Sequence, residues 1–189
     1  LTNGMFAFGA FRMATSDVDG LALRSAIRGD WPLDDATLHQ VTADTLGQAA
    51  NLFEDPAFEQ YFVMVTPLPE LPQGSAVIGS GFDEAFFLLA TPNAEPENLI
   101  HTITHEVLHE WIPRRAGQTD EATDPARAWF TEGFTEYFTQ PFVQEVSLIL
   151  FCSRKHKLSI LVTRNPYFIT CSTGTKGTIL PVPLWHRQL

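Results

Sequence analysis

Two histidines four residues apart, His105 and His109, bracket a glutamate and two aliphatic residues in the run His105-Glu106-Val107-Leu108-His109. On an α-helix, positions four apart share a face, so both imidazoles can aim at one point. Imidazole nitrogen is a ready zinc ligand, and a catalytic zinc site combines three protein ligands with an open position for water. Glu106 stands about 100° around the helix from His105, within reach of such a water but not obliged to bind the metal. That is the place of a general base. A third ligand is available downstream in Trp129-Phe130-Thr131-Glu132-Gly133-Phe134, where Glu132 offers a carboxylate. Together the two motifs point to one Zn2+ ion and to hydrolysis, with a peptide as the expected substrate.

His101, His105 and His109 form one stripe, but its outer members are about 12 Å apart along a helix axis. One ion cannot take all three, and only the pair His105/His109 has the glutamate correctly placed. His101 is therefore expected in solvent or behind the ligands. Glu136 follows Glu132 by four residues on the same face, among aromatics where an uncompensated carboxylate is costly. It is expected to orient a ligating imidazole from behind. The competing reading for both acids is a solvated stripe on an amphipathic helix. The aromatics Trp129, Phe130, Phe134, Tyr137 and Phe138 are expected in the core.

The elements that must position these groups are also legible. Asn93, Glu95, Pro96 and Glu97 read as a helix start, with acids and proline in the first turn. Leu99, Ile103, Val107, Leu108 and Trp111 supply its apolar surface, and Pro113 stops it. Asp124-Pro125 reads as the opening of the second motif helix. Upstream, Phe6–Met13 reads as a strand, and Asp34-Asp35 opens a helix running to Phe53. Tyr61–Thr66 is a β-rich buried strand, followed by a loop over Pro67–Gly74. Ala76–Ile78 and Ala85–Ala90 are short strands around a Gly79–Gly81 turn. Strands first and helices later predict an α+β layout.

These residues resemble a known family. H-E-x-x-H followed by E-G-F on a later helix is the gluzincin pattern, carried by the aminopeptidase relatives of thermolysin. The run His105 to Trp111, the pair Arg114-Arg115, and Trp129 to Tyr137 are similar to the glycyl-aminopeptidase-like (PDZ-containing) metallopeptidases. Gly29-Asp30-Trp31-Pro32 and Gly79 to Phe86 extend the resemblance, which covers roughly residues 26–142. It implies a thermolysin-like (gluzincin) catalytic domain, a small mixed sheet followed by zinc-binding helices. It implies His105, His109 and Glu132 as ligands and Glu106 as base. An aminopeptidase also needs an acidic group for the substrate's free amine, and Asp83 or Glu84 is the candidate; turn solvation is the alternative for both. A transition-state donor is expected beyond the third ligand, where Tyr167 and His156 are the notable residues.

The chain has 189 residues and a net charge of −10, enough for one domain with a core. Its charge is unevenly placed. Residues 1–145 hold all 22 acids against six arginines, a net −16, whereas residues 146–189 hold six basic residues and no acid. Such a shift marks a boundary near Glu145. Residues 1–145 are expected to form a partial catalytic domain, and 146–189 a basic tail, either a divergent subdomain or foreign to the fold. Cys152 and Cys171 lie in that tail and have no neighbours at zinc-ligand spacing, so cysteine usage fixes no compartment. No run of eighteen apolar residues is present, so no membrane-spanning helix is expected. An acidic body repels phosphate and argues against nucleic acid. Two rival functions remain in view: a catalytically impaired zinc-binding scaffold derived from a peptidase, and another zinc hydrolase such as an epoxide-opening gluzincin.

Overall fold

The computed structural model describes residues 7–55, 58–112, 114–115, 128–155, 158–161, 168–173 and 176–181. The chain divides into two compact units, Leu1–Val143 and Gln144–Leu189. The first is α+β, a mixed sheet with helices.

Strands β1 (Arg12–Val18) and β2 (Leu21–Ile27) form an antiparallel hairpin. Its turn is Asp19-Gly20, both residues with positive φ, 52° and 94°. That conformation is native to Asp/Asn-Gly hairpin turns, whose twist matches the flanking strands, and the Asp17 carboxylate accepts the Gly20 N–H at 2.9 Å. The strand expected at Phe6–Met13 is thus displaced to Arg12–Val18; residue 6 itself lies outside the described residues. The hydrophobic residues Phe6 and Phe11 invited the earlier placement, but the turn chemistry at 19–20 sets the register.

Helix α1 (Asp35–Leu52) begins as the sequence predicts, with the Asp34 carboxylate accepting from Thr37 N–H at 2.7 Å. Such caps satisfy one of the four free amides at a helix start. The helix crosses over to β3 (Gln60–Pro67), which therefore pairs in parallel with β2. Strands β4 (Val77–Phe82) and β5 (Ala85–Ala90) form a second hairpin. The sheet order is β1-β2-β3-β5-β4, with β3 and β5 parallel. The Gly79–Gly81 segment, expected as a turn, lies inside β4, and Asp83-Glu84 makes the turn instead.

Helix α2 (Pro96–Leu108) packs on α1 and on β4. Its apolar stripe of Leu99, Ile103, Val107 and Leu108 is completely buried. Burying each such side chain contributes roughly 1.5–3 kcal/mol, so this stripe fixes the helix's rotation about its axis. The helix ends at Leu108, before Pro113, and 109–112 continue as turns in which Glu110 and Trp111 donate their N–H to the carbonyls three residues back, at 3.1 and 3.0 Å. Tightening to i→i+3 bonds at a helix end is a common way of closing it. Pro113 and Asp124-Pro125 lie outside the described residues.

Helix α3 runs over Ala128–Lys155 and contains Pro141. An aromatic cluster ties it to the other helices: Phe53 meets both Trp111 and Phe138, with ring centroids 5.8 and 5.7 Å apart. The expectation that the aromatics of α3 form its buried face is not met. Trp129 is 70% and Tyr137 59% exposed among the described residues, and Phe134 is also exposed. The buried stripe is instead Thr131, Thr135, Thr139 and Phe142. Aromatics spread around the helix cannot all face inward, and threonines occupy the buried positions here. The second unit contains an antiparallel sheet of order β6-β7-β8, formed by Leu158–Leu161, Phe168–Thr173 and Lys176–Pro181.

One buried histidine stitches the first three elements. His39 of α1 meets Ser25 of β2 through Nδ1 at 2.7 Å and Ser16 of β1 through Nε2 at 2.9 Å. Burial lowers its pKa. The folded state therefore resists a proton that the unfolded chain accepts. The stability this contributes is complete above the unfolded pKa of about 6.5 and is lost as pH falls below it. Thermal unfolding of the protein and of His39→Gln between pH 5 and 7.5 checks this. The melting temperature should fall more steeply in acid for the histidine protein than for the variant.

Candidate metal site

Rigid burial of the α2 stripe presents the opposite side of its last turn to α3. There His105 Nε2 and His109 Nε2 lie 3.1 Å apart. Glu132 of α3 meets them with its two oxygens, Oε2 at 3.1 Å from His105 Nε2 and Oε1 at 3.6 Å from His109 Nε2. One donor atom from each of the three residues can be chosen so that all lie within 4.8 Å of one another. Zinc bonds of about 2.0–2.2 Å in a tetrahedron place ligand atoms roughly 3.3–3.6 Å apart. The observed spacings of 3.1, 3.1 and 3.6 Å lie in or just short of that range. Two imidazoles and one carboxylate are also the donor set of a catalytic rather than a structural zinc site. The residues therefore fit the ion, and the half-exposed Glu132 side leaves the cluster open to solvent.

The other ring nitrogens are held from behind. His109 Nδ1 lies 2.9 Å from the Ile112 carbonyl, which can only accept, so Nδ1 carries the proton and Nε2 is left bare for a metal. Thr135 Oγ1 is 3.3 Å from both partners. His105 Nδ1 is buried and lies 3.5 Å from Glu136 Oε2, an ion-pair separation without a hydrogen bond. Glu136 uses its other oxygen on His101 Nε2 at 3.0 Å and Gln140 Nε2 at 2.7 Å. Glu136 thus bridges His105 and His101, and His101 stands behind the cluster rather than in it. Burial, followed by the neighbouring His109, lowers the pKa of His105 despite the opposing pull of Glu132 and Glu136. Burial would raise that of Glu136, but Gln140, His101 and His105 together outweigh it and lower it.

Glu106 points toward the sheet side of α2 and is only 8% exposed. Burial raises its pKa, His109 opposing and Glu132 reinforcing the shift. It lies directly against β4: a Cβ on Gly79 would overlap the Glu106 carboxylate and the carbon next to it, whereas one on Gly81 would stand 3.7 Å from Oε2. The glycines read as a turn thus have another use: the first clears space for Glu106. The contribution of Gly79 could not be found from local patterns, since glycine in a strand interior signals close approach without naming what approaches.

Asp83 and Glu84 occupy the β4–β5 turn and are not members of the metal-ready cluster. Asp83 is 93% exposed at its side chain, with Oδ1 2.9 Å from Arg114 Nη1. Glu84 takes a positive φ of 57°. The reading of the motifs also missed Glu110, a buried carboxylate next to His109 whose pKa burial pushes up to about 7, against the pull of Arg114 and a backbone hydrogen bond from Glu84. Its signal was present, as Glu110 and Arg114 are an i, i+4 acid–base pair. Tyr167 and His156 lie outside the described residues.

Among solved structures, the chain is similar to an aminopeptidase N family protein from Idiomarina loihiensis, at 18% identity and a TM-score of 0.57, over 74% of this chain and 26% of that one. It is also similar to an M1 zinc metallopeptidase from Deinococcus radiodurans, at 20% identity and a TM-score of 0.48, over 77% of this chain and 32% of that one. This chain spans about a quarter to a third of the length of those proteins. No protein-family model and no curated protein matches it. What the first likeness shows is the fold: the mixed sheet and helices of the first unit are arranged as in an aminopeptidase N family protein.

The contact between Gly79 and Glu106 carries a stability prediction. Gly79→Ala should overpack the β4–α2 contact and cost about 1–3 kcal/mol, while Gly81→Ala should cost little. Denaturant unfolding of both variants tests it, and equal stabilities would contradict the assigned contact.

Proposed function

We propose that this chain carries the catalytic centre of a zinc-dependent peptidase with a thermolysin-like (gluzincin) arrangement. The observation that carries this reading is the convergence of His105, His109 and Glu132 within ligand-to-ligand distance of one another, on the open side of the cluster. The likeness in fold to an aminopeptidase N family protein agrees with it. So do the sequence features shared with the glycyl-aminopeptidase-like group, which makes an aminopeptidase-like activity the specific form of the proposal.

His105, His109 and Glu132 would hold the ion, with Glu136 keeping His105 in orientation. Zinc bound there supplies a Lewis acid for the scissile carbonyl and lowers the pKa of a water molecule. Glu106 would serve as the base that accepts a proton from the attacking water and would return it to the leaving amine. A base with a pKa raised toward neutrality suits both halves of that transfer, and burial against Gly79 raises it in the required direction. Asp83 and Glu84 are proposed to hold the substrate's free amine at the end of β4. Glu106 also separates this reading from a non-catalytic zinc scaffold, since a purely structural site has no use for a buried base beside its ligands.

Two substitutions test the roles separately. Glu106→Gln should keep zinc, measured by elemental analysis, and lose roughly 10²–10⁴-fold in kcat on a peptide substrate; near-normal turnover would remove Glu106 from the mechanism. Glu132→Ala should lose bound zinc after dialysis against a weak chelator. Unchanged zinc content would mean that the third ligand lies elsewhere.

A further inference from the structure

Besides the contact of Glu106 with β4, an ionic cluster joins the turns that follow α2 to the β4–β5 turn, beginning at Glu110 directly after His109. Glu110 is nearly enclosed, with 5% of its side chain exposed. Its oxygens lie 3.2 and 3.3 Å from the same nitrogen of Arg114, Nη1, and its carboxylate also accepts the Glu84 N–H. That Nη1 reaches Asp83 Oδ1 at 2.9 Å and donates to the Phe82 carbonyl. Arg114 therefore grips three groups on two elements: the carboxylate of Glu110 after α2, and the backbone and side chain of the β4–β5 turn.

That grip matters because of where β4 lies. Among the described residues it is the last strand of the sheet, with β5 as its neighbour. Its turn holds Glu84 in left-handed backbone conformation, which a non-glycine residue keeps only when its surroundings enforce it. Three residues before Phe82 stands Gly79, the surface against which Glu106 rests. The turn and the surface against which Glu106 rests are thus parts of one short strand and its end. All four acceptor atoms surround one nitrogen with two hydrogens, so they share charge-assisted contacts at a single point of the guanidinium.

We propose that Arg114, anchored by Glu110, is a positioning residue that latches the β4–β5 turn to the end of the motif helix and so holds β4 in place behind Glu106. The kinetic consequence rests on the peptidase reading; the mechanical one does not. The test uses the zinc-loaded full chain and the variants Arg114→Ala, Arg114→Lys and Glu110→Gln. Amide hydrogen exchange, zinc content and peptide kinetics are measured on each. Arg114→Ala should speed exchange over residues 79–85 by about tenfold or more while leaving β2 and α1 unchanged. It should keep its zinc, lower kcat by roughly 10–100-fold and raise KM as well, because the loosened turn carries Asp83 and Glu84. Arg114→Lys should recover part of both effects, and Glu110→Gln should loosen the same segment less.

Unchanged exchange over 79–85 would overturn the latch. A loosened turn with unchanged kcat in an active enzyme would overturn its role in positioning Glu106. So would a fall in kcat that tracks zinc loss or faster exchange throughout the chain. Should Arg114→Ala fail to fold, the two milder variants decide by the same criteria. A wild-type protein that binds zinc and hydrolyses no peptide would instead defeat the function proposed above, and the exchange measurement would still decide the latch.

Discussion

Three lone-pair donors pointed at one spot are a poor arrangement for a protein interior unless something cationic belongs between them. His105 Nε2, His109 Nε2 and a Glu132 oxygen converge in this way, and much of the first unit serves to keep them there. The apolar stripe of α2 prevents rotation of the helix that carries both imidazoles. The Ile112 carbonyl accepts from the far side of the His109 ring, and Glu136 stands at ion-pair distance behind His105. The aromatic contacts of Phe53 with Trp111 and Phe138 join α1, the end of α2 and α3, so that a carboxylate 27 residues after His105 arrives at the correct place. Buried hydrophobic area supplies the stability from which this local arrangement is held.

The site is also asymmetric in its exposure to water. On the imidazole side, burial lowers the pKa of His105, which favours the neutral ring that a metal requires. On the carboxylate side, Glu132 remains about half exposed. Glu106 lies in the dry part, between helix and strand, where burial raises its affinity for a proton. Glu132, reaching in from α3, and Glu106, between the two histidines in sequence, are thereby separated in character: one is exposed, and the other is enclosed with its pKa raised by burial.

The gathering of His105, His109 and Glu132 was more legible in the sequence than the surfaces around it. The spacing of His105 and His109, the glutamate pair on a later helix and the Asp34 cap depend on helical period and local hydrogen bonds, both of which short stretches of sequence encode. The Gly79–Gly81 segment was misread because glycine is the common turn signal, and only the approach of a side chain 27 positions later gives its true meaning. The aromatics of α3 were misread for a related reason. Hydrophobicity says that a residue gains by burial, but not which face its neighbours leave available, and here threonines fill the contact. The ends of elements depended on turn geometry: a positive-φ Asp-Gly pair moved β1, and three-residue hydrogen bonds closed α2 ahead of the proline.

The overlap that a side chain at position 79 would create couples two positions that share no chemistry. Any sequence that keeps a glutamate at 106 in this pose must keep the strand bare opposite it, although residue 79 itself contributes no reactive group. Relief requires a paired change: a shorter acid at 106 would make room for alanine at 79, but would also draw the carboxylate back from the strand it rests against. Drift along this strand is therefore restricted from across the interface. A glycine can be as tightly held by descent as the residues that do the chemistry, and a comparison of related sequences should find 79 and 106 changing together or not at all.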